Sequence, residues 1–478
     1  MTLDSYKIMN VNTKKIIIGT FLYLILSVSC GGEDRRKEYT EITEVPHWIE
    51  SVMREHYYWY ENIPTQGLNF FAEPDVFFNS LLSNEDGKRR NGKQYYYSTL
   101  KDLSKTANTR SLQQPEYSYG FDFVLYKLEN TGSTTARYAA LILYVVPNSP
   151  AERAELKRGM WILDVNGKTI TEANYNLLSG GEAAELSIGI WLENGISSLG
   201  VYPIEAACEI EDNPVHYYNI YKAPDNGKRI GYLVYNHFTA GKTENDKTYN
   251  GDLLEVSNIF KNEGVNECIL DLRYNNGGLL TSAQLLCSIL APQSALGKSA
   301  GYLEFNDKYN PQIEAITLNP NNLQGGANLN LTTLYVITGE ATASASEMLI
   351  NTLSPYMNVI LIGTKTEGKN VGSITFKDDK YTWELHPIVC KIYNSENNSD
   401  YANGFIPDYL IEENKGTNLD RFLELGDPNE LLLNAALNII NETYQENGQE
   451  AVSRLSLWEM TPIHCSLERR ATNGVIVR

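Results

Sequence analysis

Leu334-Tyr335-Val336-Ile337-Thr338 runs into Thr342-Ala343-Ser344-Ala345-Ser346-Glu347, and Val359–Gly363 runs into Thr364-Lys365-Thr366-Glu367-Gly368-Lys369. Two short apolar runs, each of strand length, flank a segment with helical spacing that ends near Tyr356. This reads as strand, turn, helix, strand, turn, the repeating unit of a sheet covered by helices. Small residues around a serine at a helix start keep its hydroxyl accessible, and the helix dipole favours negative charge developing there. Ser344 and Lys369 are 25 residues apart, and the intervening helix, strand and turn can bring the lysine back beside the start of the helix.

The same alternation extends on both sides, over about residues 216–442. Ile230–Tyr235 reads as a strand followed by a helix through Leu253–Asn262. Glu267-Cys268-Ile269-Leu270-Asp271-Leu272-Arg273 reads as a second buried strand that breaks into Tyr274-Asn275-Asn276-Gly277-Gly278, with a helix from about Thr281. A glycine pair between strand and helix frees backbone N–H groups to face an anion, a feature many α/β turns share. Before this region, from about residue 117, the pattern is of short strands: Tyr119-Gly120-Phe121-Asp122-Phe123, then Ala139–Val146, then Trp161–Val165 closed by an Asn166-Gly167 turn. Between them lies Pro147-Asn148-Ser149-Pro150-Ala151 and its continuation to Gly159.

This β-rich stretch resembles a PDZ domain, with Met160 where an acidic residue usually follows the glycine. The resemblance implies capture of a peptide C-terminus as an added strand, at Gly120, Phe121, Asp122 and Phe123. The region after it resembles the S41 family of serine peptidases, the carboxyl-terminal processing proteases. The marks are DLRxNxGG from Asp271, [ST]ASASE from Thr342 and GxxTxGK ending at Lys369, in that order, with Gly404-Phe405-Ile406-Pro407-Asp408 closing the region. Together these cover about residues 115–412. The resemblance implies Ser344 as nucleophile and Lys369 as a general base whose pKa is lowered by burial. It implies Glu347 as an acidic residue that orients the pair; a solvent-facing carboxylate favoured by the helix start is the other reading of Glu347. The oxyanion hole would use the Ala345 N–H and that of Gly277 or Gly278. The family often has a glutamine four residues after the lysine, where this chain has Ser373. Ser346 is the rival nucleophile and Lys365 the rival base. No GxSxG, HExxH or clustered metal ligands occur, so neither a histidine triad, a metalloprotease nor any cofactor is expected.

Composition bounds the partners. The 478 residues carry a formal charge of −19, which argues against nucleic acid, whose phosphates require clustered cations. Six cysteines without a CxxC pair exclude a disulfide scaffold and a zinc ribbon. Lys14 and Lys15 precede the apolar run Ile16–Ser29, which reads as an export signal. Its end, Leu26-Ser27-Val28-Ser29-Cys30, resembles a bacterial lipobox, with Ser27 where an aliphatic residue is usual, and implies acylation of Cys30 and a membrane anchor. The cluster Tyr57-Tyr58-Trp59-Tyr60 reads as a small-domain core, with a carbohydrate platform as the lesser alternative.

The expectation is therefore a mixed α/β (α+β) chain. It comprises a lipoprotein signal (1–30), a flexible tether (31–45), a helical N-terminal domain (46–112) and a PDZ-like domain (113–212). An S41 catalytic domain of ClpP/crotonase-like fold (213–442) and a tail (443–478) without a clear period complete it. The expected function is an exported, lipid-anchored Ser–Lys endopeptidase, outer-membrane-bound and periplasmic or surface-facing, acting on unfolded or C-terminally exposed protein segments. The alternatives are a non-catalytic peptide-binding lipoprotein on the same fold and a glycan-binding lipoprotein.

Overall fold

The computed structural model describes residues 31–90, 92–105, 117–130, 137–192, 195–223, 227–243, 245–414, 416–445, 458–467 and 475–477. The expected signal and Cys30 lie outside them. The stretch 31–45, expected to be a flexible tether, is instead the first part of a helix, Gly31–His56. Ile49, Met53 and Tyr57 recur every four residues on one face of that segment and are fully buried. They pack against Phe77, Phe78 and Leu81 from the short helix Pro74–Asn79 and the turn after it, and against Val371, Leu385 and Ile388. The aromatic cluster at 57–60 takes part in this core. The segment is not wholly helical, because Thr99–Asp102 pairs with Trp383–His386, antiparallel, with Thr99 opposite His386.

The β-rich stretch forms a largely antiparallel sheet in the order Gly195–Ile204, Ala184–Leu192, Met160–Val165, Arg137–Val145, Phe121–Asn130 and Trp458–Cys465. Alternate residues of each strand point to opposite faces. Phe121, Phe123 and Leu125 enter the interior of this module with Ala140, Ile142, Ile162, Leu186 and Ile188. Val124, Tyr126 and Leu128 face the other way, with Leu141, Leu143 and Trp161, onto the α/β region.

That region is built on a six-stranded sheet, ordered Val215–Lys222, Arg229–Tyr235, Glu267–Asp271, Thr333–Thr338, Asn358–Gly363 and Tyr409–Leu410. Only the first pair is antiparallel. Its inner strands are buried on both faces, which is why they read as unbroken apolar runs. Leu233, Cys268, Leu270, Leu334 and Val336 meet the helices Thr248–Asn262, Leu280–Leu290 and Ala345–Leu353. Tyr232, Val234, Ile269, Tyr335 and Ile337 meet the helix Leu431–Ile440 and the β-rich module. No helix among the described residues is long and apolar enough to cross a membrane.

Charge as well as apolar area joins the module to this sheet. Arg158 is buried and donates to Glu413 (2.7 Å), to the Leu143 and Leu423 carbonyls (2.8 and 2.7 Å) and to the Tyr274 hydroxyl. Arg273 donates to Asp271 (2.7 Å), Glu413 (2.6 Å) and Glu430 (2.8 Å). Burial pulls both arginine pKa values down, but the surrounding carboxylates, with Tyr274 at Arg158, outweigh it and keep both groups charged. Burial would likewise push the Glu413 carboxyl up, yet Arg158 and Arg273 hold it at about 2.

Replacing Arg273 by alanine leaves Asp271, Glu413 and Glu430 buried with too little positive charge. We expect a loss of about 3–5 kcal/mol, the usual cost of breaking a buried ion pair, read as a fall in the urea midpoint. Glu413 contributes stability fully above its unfolded pKa near 4.5. That contribution is lost as pH falls towards 2, so the thermal midpoint of the wild type should drop across that window more than that of Glu413→Gln.

Candidate active site

The loop after Asp271 is fixed by its own side chains. Asn275 donates through Nδ2 to the Tyr235 carbonyl (2.8 Å) and accepts from the Gly277 N–H (2.8 Å). Its carbonyl accepts from the Ala343 N–H (3.1 Å) and from the Ser346 hydroxyl (3.0 Å). The glycine loop and the serine turn are thus laced together, and the rival nucleophile Ser346 is committed to the lacing. At Gly277, where φ is +106°, a Cβ would come within 2.9 Å of Ser344 Cβ and 3.0 Å of Ala345 N. Glycine is required there on both counts.

Ser344 precedes the helix Ala345–Leu353 with φ +61° and ψ −110°, a strained conformation for a residue with a side chain. It is fully buried, and among the described residues its Oγ has no hydrogen-bond partner. The Ala345 N–H, at the first turn, has no acceptor within the helix. The structure therefore brings together Ser344, Ala345 and Gly277, with Gly278 next in line. Gly277 spends its N–H on Asn275, which leaves Ala345 and Gly278 of the three residues expected to supply oxyanion donors.

Glu347 sits one turn into the helix. The solvent-facing reading does not hold, because the residue is fully buried. Its Oε2 accepts from the Ser344 N–H (2.9 Å) and the Lys369 N–H (2.7 Å), and its Oε1 from the Gly368 N–H (2.6 Å) and the Thr366 hydroxyl (2.6 Å). Burial raises its pKa and these four donors oppose the rise. One carboxylate therefore clamps the serine turn to the lysine turn.

Lys369 is 2% exposed, and its Nζ has no hydrogen-bond partner among the described residues. Burial lowers its pKa to about 8, against the opposing charges of Asp86 and Glu347. Its Nζ lies 4.8 Å from the centroid of the Tyr97 ring, and Lys88 donates to the Glu367 carbonyl. The N-terminal segment therefore forms one wall of the lysine site, which the sequence reading did not foresee. Asp86 belongs to the same wall, accepting from the Tyr57 hydroxyl (2.9 Å) and the Tyr97 and Ser98 N–H groups (2.9 and 3.0 Å). The rival base Lys365 is exposed. His386 is held between Glu384 (2.6 Å) and Thr375 (3.1 Å), and His237 between Thr239 and the Asp212 carbonyl.

The four residues expected to receive a peptide lie at the start of Phe121–Asn130. Gly120 is needed for packing, since a Cβ there would fall 2.1 Å from Ser149 Cβ. Phe121 and Phe123 are core residues, and Asp122 accepts from Tyr144 and Ser466 (2.6 Å each). The free edge of the strand is already paired antiparallel with Trp458–Cys465, Cys465 opposite Val124. Ser466 continues the pairing, its N–H to the Phe123 carbonyl and its hydroxyl from the Phe123 N–H, 2.9 Å each. The final segment, read as a tail without a period, thus supplies sheet strands.

The model of Peptidase family S41 matches residues 229–411, and that of the Peptidase S41 N-terminal domain matches residues 44–99. A solved S41 protease structure from Bacteroides fragilis is 41% identical and aligns with a TM-score of 0.73, covering 83% of this chain and 98% of that one. Carboxyl-terminal-processing proteases of Picosynechococcus and Synechocystis are each 24% identical, over 318 and 214 residues, or 63% and 45% of this chain. The matches span 66% and 44% of the length of those two relatives.

Three outcomes test whether this geometry is catalytic. Gly277→Ala should strain the turn against Ser344 and Ala345 and lose peptide turnover by at least about a hundredfold, the scale of one misplaced oxyanion donor, in a steady-state assay, with circular dichroism reporting how much of the fold is kept. A lysine acting as base must be neutral to accept a proton, so any activity that rests on Lys369 should rise with pH about a midpoint near 8. Glu347→Gln removes a negative charge that raises the lysine pKa, so the midpoint of whatever activity survives should move to lower pH.

Proposed function

Because the chain belongs to peptidase family S41, we propose that it is a serine endopeptidase working through Ser344 and Lys369 on unfolded or C-terminally exposed protein segments. One observation carries this reading: among the described residues, Ser344 Oγ and Lys369 Nζ are both buried and both lack a hydrogen-bond partner, on two turns joined by one carboxylate. A buried polar group left unpaired costs about 1–3 kcal/mol, which a purely structural role leaves unexplained.

The neutral Lys369 amine takes the Ser344 proton as Oγ bonds to the scissile carbonyl carbon. The carbonyl oxygen becomes an oxyanion facing the Ala345 and Gly278 N–H groups. When the tetrahedral species collapses, the C–N bond breaks and the Lys369 ammonium gives its proton to the leaving amine. Water, deprotonated by the same amine, then attacks the acyl carbon and releases the acid and Ser344. Glu347 positions both turns without touching the reacting atoms. The edge at Phe121–Asn130 is the second recognition element, accepting a substrate tail as an added strand once it is free. The chain is held at a membrane by acyl chains on Cys30.

The test is degradation of an unfolded protein such as reduced, alkylated casein by the full chain. Ser344→Ala and Lys369→Ala should each slow it by at least about a thousandfold. Cleavage by both variants at the wild-type rate would sink the assignment. Binding of casein without cleavage, by this chain and by the activated variants described next, would favour a non-catalytic peptide-binding protein, the reading that Ser373 in the family's glutamine position supports. For the anchor, Cys30→Ala should move the protein from the detergent phase to the aqueous phase on partitioning.

A further inference from the structure

The strand Val475–Ile476 lies between two segments of the candidate site. It pairs in parallel with Gly278–Leu279 on one side, Gly278 opposite Val475, and with Val371–Ser373 on the other, Ser373 opposite Ile476. The Val477 N–H donates to the Ser373 carbonyl (3.0 Å), and Ile476 is 7% exposed. The flanking segments do not pair with each other; the sheet order runs through the tail strand. They are therefore about two strand spacings apart, roughly 9–10 Å, a slot that admits one extended chain hydrogen-bonded on both sides.

Both walls belong to the site. Gly278 follows Gly277, the residue against Ser344, and Val371–Ser373 begins two residues after Lys369. We propose that this slot is a peptide-binding subsite for extended, β-branched aliphatic segments, and that Val475–Val477 occupies it as an inhibitor in cis. The inference rests on the serine peptidase reading above. The direction of the strand adds a specific assignment. A peptide in this register runs parallel to Gly278–Leu279, so following it backwards from Gly278 leads towards Gly277 and Ser344. The slot thus receives the residues on the leaving-amine side of the scissile bond.

The occupant is held at a second point. Trp458–Cys465 and Ser466 cover the Phe121–Asn130 edge, so one tail closes both of the places proposed here to accept a substrate strand. Tethering raises the tail's local concentration to the millimolar range, enough for weak strand pairing to exclude a free peptide. Full burial of Ser344 fits a site closed in this way. Displacing the tail exposes backbone N–H and C=O groups along two strands, a template on which another extended chain can pair.

Two full-length variants test this. Ile476→Asp puts a charge where an aliphatic side chain is buried, and should raise kcat/KM on casein about tenfold or more. Val477→Pro removes the N–H that meets Ser373 while also restraining the backbone at Ile476 and Val477, and should raise it about fivefold, the scale of one hydrogen bond. Its circular dichroism and melting curve guard against an effect of unfolding. A fluorescein-labelled peptide of sequence Thr-Asn-Gly-Val-Ile-Val-Arg should bind Val477→Pro carrying Ser344→Ala, by anisotropy, and should inhibit Val477→Pro competitively. A peptide with Asp in place of Ile should do neither. Unchanged activity in both variants together with no peptide binding would overturn the proposal while leaving the peptidase reading intact. Peptide binding without turnover by any variant would keep the subsite and discard the peptidase.

Discussion

The Glu347 carboxylate is the constraint from which the site's geometry follows. Four donors, from Ser344, Thr366, Gly368 and Lys369, converge on its two oxygens inside the protein. A buried charge of this kind is tolerable only when fully hydrogen-bonded, so the serine turn and the lysine turn cannot drift apart without exposing it to a large desolvation penalty. Its negative charge also acts on the lysine, opposing burial and keeping the amine near neutrality in water instead of abolishing its basicity. One residue therefore supplies both the spacing of the pair and part of its electrostatic tuning.

A second buried assembly acts at longer range. Arg273 anchors the strand end that leads into Tyr274-Asn275-Asn276-Gly277, and its partners Glu413 and Glu430 come from segments far along the chain. Arg158 brings the β-rich module into the same set of charges through Glu413 and Tyr274. The loop facing Ser344 is thus positioned by the contact between module and sheet. Arg158 and Arg273 share the Glu413 carboxylate, through which the module and this strand end are tied.

Much of this was legible in the sequence, and the exceptions have physical causes. Strands buried on both faces read as unbroken apolar runs, so Glu267–Asp271, Thr333–Thr338 and Asn358–Gly363 were recognisable. The turns at Ser344, Gly277 and Lys369 announce themselves because small residues and glycines at strand–helix junctions have few other uses. Asn275 and Thr366 stood within the quoted motifs, yet their hydrogen bonds depend on partners that spacing does not reveal. Tyr97 and Asp86 lie more than 270 residues before Lys369, and no local pattern marks a wall contributed from such a distance. Residues 31–45 read as a linker because polar composition does not separate a linker from a helix. The strands Trp458–Cys465 and Val475–Ile476 escaped because each takes its regularity from a pre-existing edge, not from its own periodicity.

The long first helix bears on how the cleft is presented. At 1.5 Å per residue, the 26 residues from Gly31 to His56 extend about 40 Å, and the latter part is packed into the folded body. Pro46, where the helix loses a hydrogen bond, is the natural place for it to bend. An acyl anchor on Cys30 would therefore act as a post with one joint, not as a string. The catalytic body would sit at a set height over the bilayer and sweep a limited arc. On the proposed anchor, reach above the bilayer would act as a ruler beside the sequence preference of the slot.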